Sequence, residues 1–160
     1  MILVTLEPVL LAEKAALKAV LDPYLIEHAD QVDPQGLHGD PRSYDFFDPY
    51  WVDPARHPYW IVAEGERVGF CLVNAHAPSG QPIDHAVAEF CVLPACRRGG
   101  LGQAALGAVL ARHPGQWELQ VYCANTQGFA FWPRALVAAG VSDWEQIDGE
   151  DRVIHRFRTP

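Results

Sequence analysis

The segment Val87 to Gly102 reads Val-Ala-Glu-Phe-Cys-Val-Leu-Pro-Ala-Cys-Arg-Arg-Gly-Gly-Leu-Gly and carries the groups best suited to chemistry. Glu89 is a lone carboxylate inside an apolar run, an unusual place for a charge. Partial burial there would raise its pKa and suit it to general-base work, while a purely structural reading would pair it with an arginine. His85, beside Asp84, is a second candidate to receive a proton, directly or through water, although a lone histidine is more often structural. Beyond the turn at Pro94, Arg97-x-x-Gly100-x-Gly102 opens an Ala-, Leu- and Val-rich stretch, Gln103 to Ala111. Glycines at a strand-to-helix junction let backbone N–H groups approach a ligand, and the helix N-terminus favours an anion, most often a phosphate. The order strand, Pro, Arg, two glycines, helix predicts a pyrophosphate cradle.

A second group lies in Tyr44-Asp45-Phe46-Phe47-Asp48-Pro49-Tyr50-Trp51, inside a long Asp-, Pro- and Gly-rich connection. It reads either as a lid over the core or as an acceptor pocket. In the second case Tyr44, Asp45, Tyr50 and Trp51 would hold an ammonium by ring faces and charge. Cys91 could in principle carry a covalent intermediate, but no histidine stands at a spacing that would activate it. Cys71, Cys91, Cys96 and Cys123 form no Cys-x-x-Cys pair, and the seven histidines lack zinc-ligand spacing. Free thiols and no metal are therefore expected.

These groups need elements to position them. A length of 160 residues with 49% apolar composition suggests one globular domain spanning 1–160. The net charge of −8 argues against nucleic acid and leaves room for a cationic small-molecule partner. No apolar run of about eighteen residues predicts a membrane span. The start, Met-Ile-Leu-Val-Thr-Leu-Glu, reads as a first strand rather than a signal peptide, so a cytoplasmic protein is expected. Residues 11 to 29 place Leu17, Val20, Leu21, Tyr24, Leu25 and His28 at helical spacing, with Pro23 expected to kink or split the helix. Strands follow at Tyr59–Ala63 and Arg67–Asn74, joined by a hairpin turn at Glu64-Gly65-Glu66, then at Ala86–Leu93. After the glycine-led helix come a strand at Trp117–Cys123 and a helix at Thr126–Ala139, with a kink expected at Pro133. Strands at Ser142–Gln146 and Val153–Phe157 would close the sheet.

Taken together, the chain resembles the GNAT superfamily of acetyl-CoA-dependent N-acetyltransferases. Two motifs carry the resemblance: Arg97, Gly100 and Gly102, and Asn125-Thr126-Gln127-Gly128-Phe129-Ala130-Phe131-Trp132. In motif terms it covers roughly the C-terminal two thirds, and in element order the whole chain. It implies an α/β (α+β) fold whose mixed, mostly antiparallel sheet is splayed between its fourth and fifth strands and flanked by helices, with acetyl-CoA in the opening. It further implies that the backbone of Phe90, Cys91 and Val92 pairs with the pantetheine arm and holds the thioester. The backbone amides of Arg98, Gly99, Gly100, Leu101, Gly102 and Gln103 would bind the pyrophosphate beside Arg97. Asn125 would hydrogen-bond the arm, with Phe131 and Trp132 against the cofactor.

Acyl transfer would then be direct, to an amine of a small molecule or peptide, in a monomer or a homodimer. The pattern has two departures, Gly128 for the usual alanine and Trp132 where many members carry a tyrosine that reprotonates the CoA thiolate. An indole cannot act as that acid. A thiol of pKa ~8.5 leaving as thiolate at pH 7 forgoes about 2 kcal/mol, whereas freeing an amine of pKa ~10.4 costs about 4.6 kcal/mol. The base is therefore the more important residue, and water or Tyr122 can protonate the thiolate. The substitution also leaves open a catalytically degenerate acyl-CoA sensor.

Overall fold

The computed structural model describes residues 2–97 and 99–160. Its strands are β1 (Val4–Pro8), β2 (His57–Ala63), β3 (Glu66–Asn74), β4 (His85–Val92), β5 (Gln116–Tyr122), β6 (Glu145–Asp148) and β7 (Arg152–Arg158). Its α-helices are α1 (Lys14–Val32), α2 (Leu101–Arg112) and α3 (Thr126–Ala138). The strands form one sheet in the order β1-β2-β3-β4-β5-β7-β6. All neighbours are antiparallel except β4 and β5. One face carries α1, whose Leu17, Leu21 and Leu25 pack on Trp60, Val62, Phe70, Leu72 and Cys91. The other face carries α2 and α3, with Leu106, Val109 and Leu136 against Ile61, Val73, Val87 and Leu119.

Two local features shape the site. The β4–β5 pairing stops at Val87 opposite Leu119, although both strands continue. At the same level the β3–β4 register shifts: Leu72 pairs with Glu89 but Val73 with Val87, leaving Ala88 as an extra residue. This is a β-bulge, which bends and twists the strand that carries it. The strands therefore part where β4 bends, and the splay opens there. A close approach follows the bulge. A Cβ on Gly69 would lie 2.1 Å from the Cys91 carbonyl oxygen, so β3 meets β4 at a point only glycine allows.

Several expectations are refined. The hairpin turn is the two-residue Glu64-Gly65, closed by Ala63 and Glu66, with both central residues at positive φ, as a type I′ turn requires. Pro23 and Pro133 do not split their helices; each lies within a continuous α-helix. At Pro23 the reason is position, since Pro23 and Ala19 both lie on the exposed side, where water can satisfy the freed carbonyl. The sixth strand starts three residues later than expected. Gly140 (φ +88°) and the Val141 N–H to Leu136 O bond (3.0 Å) are spent closing α3. All four cysteines are free.

A fully buried carboxylate pins the remaining loop. Glu118 on β5 accepts from Arg156 Nη1 (2.5 Å), Ser79 N (3.0 Å) and Ser79 Oγ (2.5 Å), holding the β3–β4 connection on the sheet. Such a group is tolerated because it is both paired and hydrogen-bonded. The bulge leads to a stability test. Gly69→Ala should destabilise the protein by roughly 3 kcal/mol in urea denaturation, because backbone must move to admit the methyl group. Gly107→Ala, in α2 with nothing within 4 Å of the added Cβ, should instead stabilise it by about 0.5–1 kcal/mol.

Candidate active site

The splay forms a groove of about 600 Å³. Its walls are β4 (Val87–Val92), the end of β5 (Leu119–Tyr122), the start of α2, the start of α3, and the C-terminal half of α1. Backbone direction makes the β4 wall polar. Leu93 N–H donates to Val68 O in β3 (2.8 Å), so by strand alternation the N–H groups of Val92 and Phe90 face the open edge. At the end of the groove Gly100 caps α2 at φ +74°, with no protein atom within 4 Å of a built Cβ. Gly102 has a different role: its missing Cβ admits the Phe131 ring, which would otherwise stand 2.8 Å away. Free N–H groups at the start of a 12-residue helix suit an anion. Gly99 precedes this turn, with Leu101 and Gln103 in the first helical turn; Arg98 lies outside the described residues.

The Arg97 side chain lines the groove but also braces it. Its Nε donates to Val92 O (2.9 Å), and its Nη1 lies 3.8 Å from Glu27 of α1. Asn125 is the N-cap of α3: its Oδ1 accepts from Gly128 N–H (3.0 Å), leaving its amide N–H groups for the groove. A Cβ on Gly128 would sit 2.6 Å from Asn125 Nδ2, so the glycine gives the cap its place. Phe90, Phe131 and Trp132 form an aromatic wall with centroid separations of 5.0–5.9 Å. Cys91 belongs to the opposite core, and burial pushes its thiol pKa up, which disfavours the thiolate a covalent route would need.

The bulge also decides where Glu89 points. Side chains alternate along a strand, so without Ala88 as the extra residue Glu89 would share the α2/α3 face with Val87. Instead it faces α1, where Tyr24 Oη donates to Glu89 Oε2 at 2.7 Å. The Tyr44 hydroxyl lies near the same carboxylate. Glu89 is partly exposed by surface area yet enclosed by protein atoms. Burial lifts its pKa from 4.5 to about 7, against the opposing pull of the two tyrosine hydroxyls. A half-ionised carboxylate at neutral pH, lining the same groove as the anion cradle, can take a proton there.

The sequence profile of the acetyltransferase (GNAT) family matches residues 24–136. The chain belongs to this family. Solved structures agree in fold. An acetyltransferase from Thermus thermophilus is 18% identical, with 99% of each chain covered and a TM-score of 0.69. The GNAT domain of S. lividans PAT is also 18% identical, over 96% of this chain and 89% of that one, with a TM-score of 0.65. AAC(6')-Ib in complex with ribostamycin and coenzyme A is 14% identical, over 98% and 93%, with a TM-score of 0.65. No curated protein sequence matches the chain.

The aromatic–acidic segment does not line the groove. Trp51 Nε1 donates to Val9 O (2.9 Å) and its ring packs on Phe47, Asp48 pairs with Lys14, and Asp45 is exposed. Only Tyr44 and the buried Tyr50 stay near Glu89; burial, with the Glu89 charge adding to it, raises both phenol pKa values, Tyr50 to about 12. The groove also takes residues of α1 that spacing alone does not single out. Tyr24 and His28 fall on the core stripe of the helix, and the usable signal is their polar atoms within an apolar stripe.

His85 lies elsewhere. It is on the α2 face, the opposite side of the sheet from Glu89 and roughly 10 Å along the strand, so the two cannot share a water. Its ring centroid lies 4.9 Å from His113 and 5.1 Å from Trp117, and His57 is 4.5 Å from His113. Tyr59 Oη meets His113 Nε2 at 2.6 Å. Burial lowers all three histidine pKa values, His113 to about 4, with Arg112 and the other histidines adding for His113; Asp53 and Asp84 oppose the shift at His57 and His85. The unfolded chain, with ordinary pKa near 6.5, binds these protons first. This contribution to stability is therefore whole above about pH 6.5 and drains away as pH falls toward 4. Thermal melts from pH 7 to 4 should show this acid slope, and it should be shallower in His113→Gln.

Proposed function

We propose that the protein transfers an acetyl group from acetyl-CoA directly to a primary amine, with Glu89 as the general base. The observation that carries this reading is the placement of Glu89: the bulge turns it into the groove that also ends at the glycine cradle. In this reading the N–H groups from Gly99 to Gln103 hold the pyrophosphate. Phe90 and Val92 supply main-chain partners for the pantetheine arm, whereas the Cys91 main chain, expected to join them, is turned to β3; Asn125 supplies a side-chain amide, and Phe131 and Trp132 an apolar wall. Phe90 N–H, on the open edge next to Glu89, polarises the thioester carbonyl as negative charge develops on its oxygen. The amine attacks that carbon, a C–N bond forms, Glu89 takes the amine proton, and the C–S bond breaks. The CoA thiolate is protonated by water or by Tyr122, which lines the groove, since the Trp132 indole N–H is not acidic enough. The ribostamycin and coenzyme A complex of a similarly folded protein supports pairing CoA with an amine-bearing acceptor.

Two measurements test this. Acetyl-CoA at about one hundred times its dissociation constant should stabilise the protein by about 2.7 kcal/mol. Gly100→Asp should remove this shift and Gly100→Asn should retain most of it, because both fit a left-handed backbone and only Asp repels an anion. Equal loss in both variants would refute the cradle. In a pH–rate profile, turnover should rise through about pH 7 and then level off. Glu89→Gln should lower turnover roughly 10²–10⁴-fold with little change in acetyl-CoA binding. Tyr24→Phe should move the rising limb to higher pH, since it removes a hydrogen bond that lowers the Glu89 pKa. Binding of acetyl-CoA with no transfer to any amine would instead indicate a sensor.

A further inference from the structure

The groove is larger than the strip of β4 that a cofactor arm would follow. Its far wall, on the α1 side, is built from Glu27, His28 and Gln31 of α1 and from Gln120 and Tyr122 of β5. His28 closes on Tyr122 edge-to-face at 5.5 Å, tying helix to strand, and Arg152 caps the Tyr122 ring at 4.6 Å. Glu89 lies on this same side of the sheet, hydrogen-bonded to Tyr24 one turn before His28. An amine reaching Glu89 from this side passes these residues.

Three features of the wall select among amines. The first is charge. Glu27 stands 3.8 Å from the Arg97 guanidinium and Glu89 is held by hydroxyls, so the wall offers no carboxylate cluster for a polycation. The second is hydrogen-bonding capacity. Gln31 and Gln120 make no side-chain hydrogen bond among the described residues, so each presents an amide donor and acceptor to the groove. The third is the strand edge. Beyond Leu119, β5 has a strand partner only in β7. Cys123 N–H donates to Asp151 O on the β7 side (2.9 Å), so by alternation the Tyr122 N–H and Gln120 carbonyl turn to the open edge. Free main-chain groups flanked by amide side chains match another main chain.

We propose, building on the acetyltransferase reading above, that the acceptor is the α-amino end of a peptide, entering between α1 and the free edge of β5. The first residues of the peptide would lie along Gln120–Tyr122, its amides meeting that edge and the Gln31 and Gln120 side chains. Its terminal amine would reach Glu89. The chemistry of the base fits this choice. At pH 7 about one in ten α-amines of pKa ~8 is already free, against roughly one in two thousand five hundred lysine amines of pKa ~10.4. A carboxyl lifted to about 7 is matched to the first.

The test compares four acceptors with acetyl-CoA and the intact protein: a tetrapeptide with a free N-terminus, an N-acetylated tetrapeptide containing lysine, spermidine and kanamycin. Mass spectrometry locates the acetyl group. The free-N-terminus peptide should be favoured in kcat/KM by at least about tenfold, with acetylation at the α-amine. Gln120→Ala and Gln31→Ala should each raise its KM by about two- to twelvefold, the loss of one neutral hydrogen bond, without weakening acetyl-CoA binding measured by thermal shift. Acetylation confined to the lysine side chain, spermidine or kanamycin would overturn the peptide assignment while leaving the acetyltransferase reading intact. So would unchanged peptide KM in both glutamine variants. Absence of an acetyl-CoA thermal shift would instead overturn the acetyltransferase reading itself.

Discussion

One extra residue in β4 governs the chemistry of this protein. A strand repeats every two residues, so inserting Ala88 reverses the facing of everything after it relative to what comes before. His85 and Val87 face α2 and α3, whereas Glu89 faces α1. The same insertion re-aims the main chain, because N–H groups alternate with the side chains. Phe90 and Val92 consequently present N–H groups to the side where β5 has moved away. A single bulge thus places a carboxylate on one face and hydrogen-bond donors along the adjoining edge. Neither would be there in an unbroken strand.

The bulge is held from both sides. On the β3 side, Gly69 lets the Cys91 carbonyl come closer than any side chain would permit, and on the β5 side the parallel pairing is already exhausted at Val87. Below the split the sheet is anchored. Trp117 is buried against the histidine cluster and bonded to His113 O, and Glu118 is fully engaged by Arg156 and Ser79. Above it, α1 spans the gap through Tyr24, through His28 on Tyr122, and through Glu27 near Arg97. A rigid lower half and a bridged upper half keep an open seam in a sheet that would otherwise zip closed.

Much of this was legible in the sequence, for physical reasons. Apolar runs bounded by turn residues marked the middle strands, and glycine and proline placed the Glu64-Gly65 turn and the start of α2. The order of strand, Arg97, Gly100 and Gly102, with Asn125 further on, pointed to the fold and to the groove. What stayed hidden depended on register. A bulge leaves no mark in a run such as Val-Ala-Glu-Phe-Cys, so His85 and Glu89 looked like neighbours on one face although they lie on opposite sides of the sheet. Aromatic–acidic composition was likewise ambiguous. Tyr44 and Tyr50 came close to Glu89, while Trp51 and Asp48 went to bracing Val9 and Lys14. Tyr24 was hidden by its place on the apolar stripe of α1, where a hydroxyl with a distant partner looks the same as packing.

On the proposed acetyltransferase reading, the balance of proton costs would allow a tryptophan at position 132. The leaving thiolate forgoes about 2 kcal/mol at pH 7 when no acid meets it. A lysine-type amine would add about 4.6 kcal/mol to be freed, an α-amine only about 1.4 kcal/mol. Were the acceptor the proposed α-amine, both penalties would be modest, and water would suffice to discharge the thiolate. Trp132 then serves the groove by packing, completing the wall with Phe90 and Phe131 that Gly102 admits. Within the groove the Glu89 carboxylate lies on the α1 side, and the aromatic wall of Phe90, Phe131 and Trp132 on the α3 side. That division follows from the bulge, which sends the carboxylate to one face and Phe90 to the other.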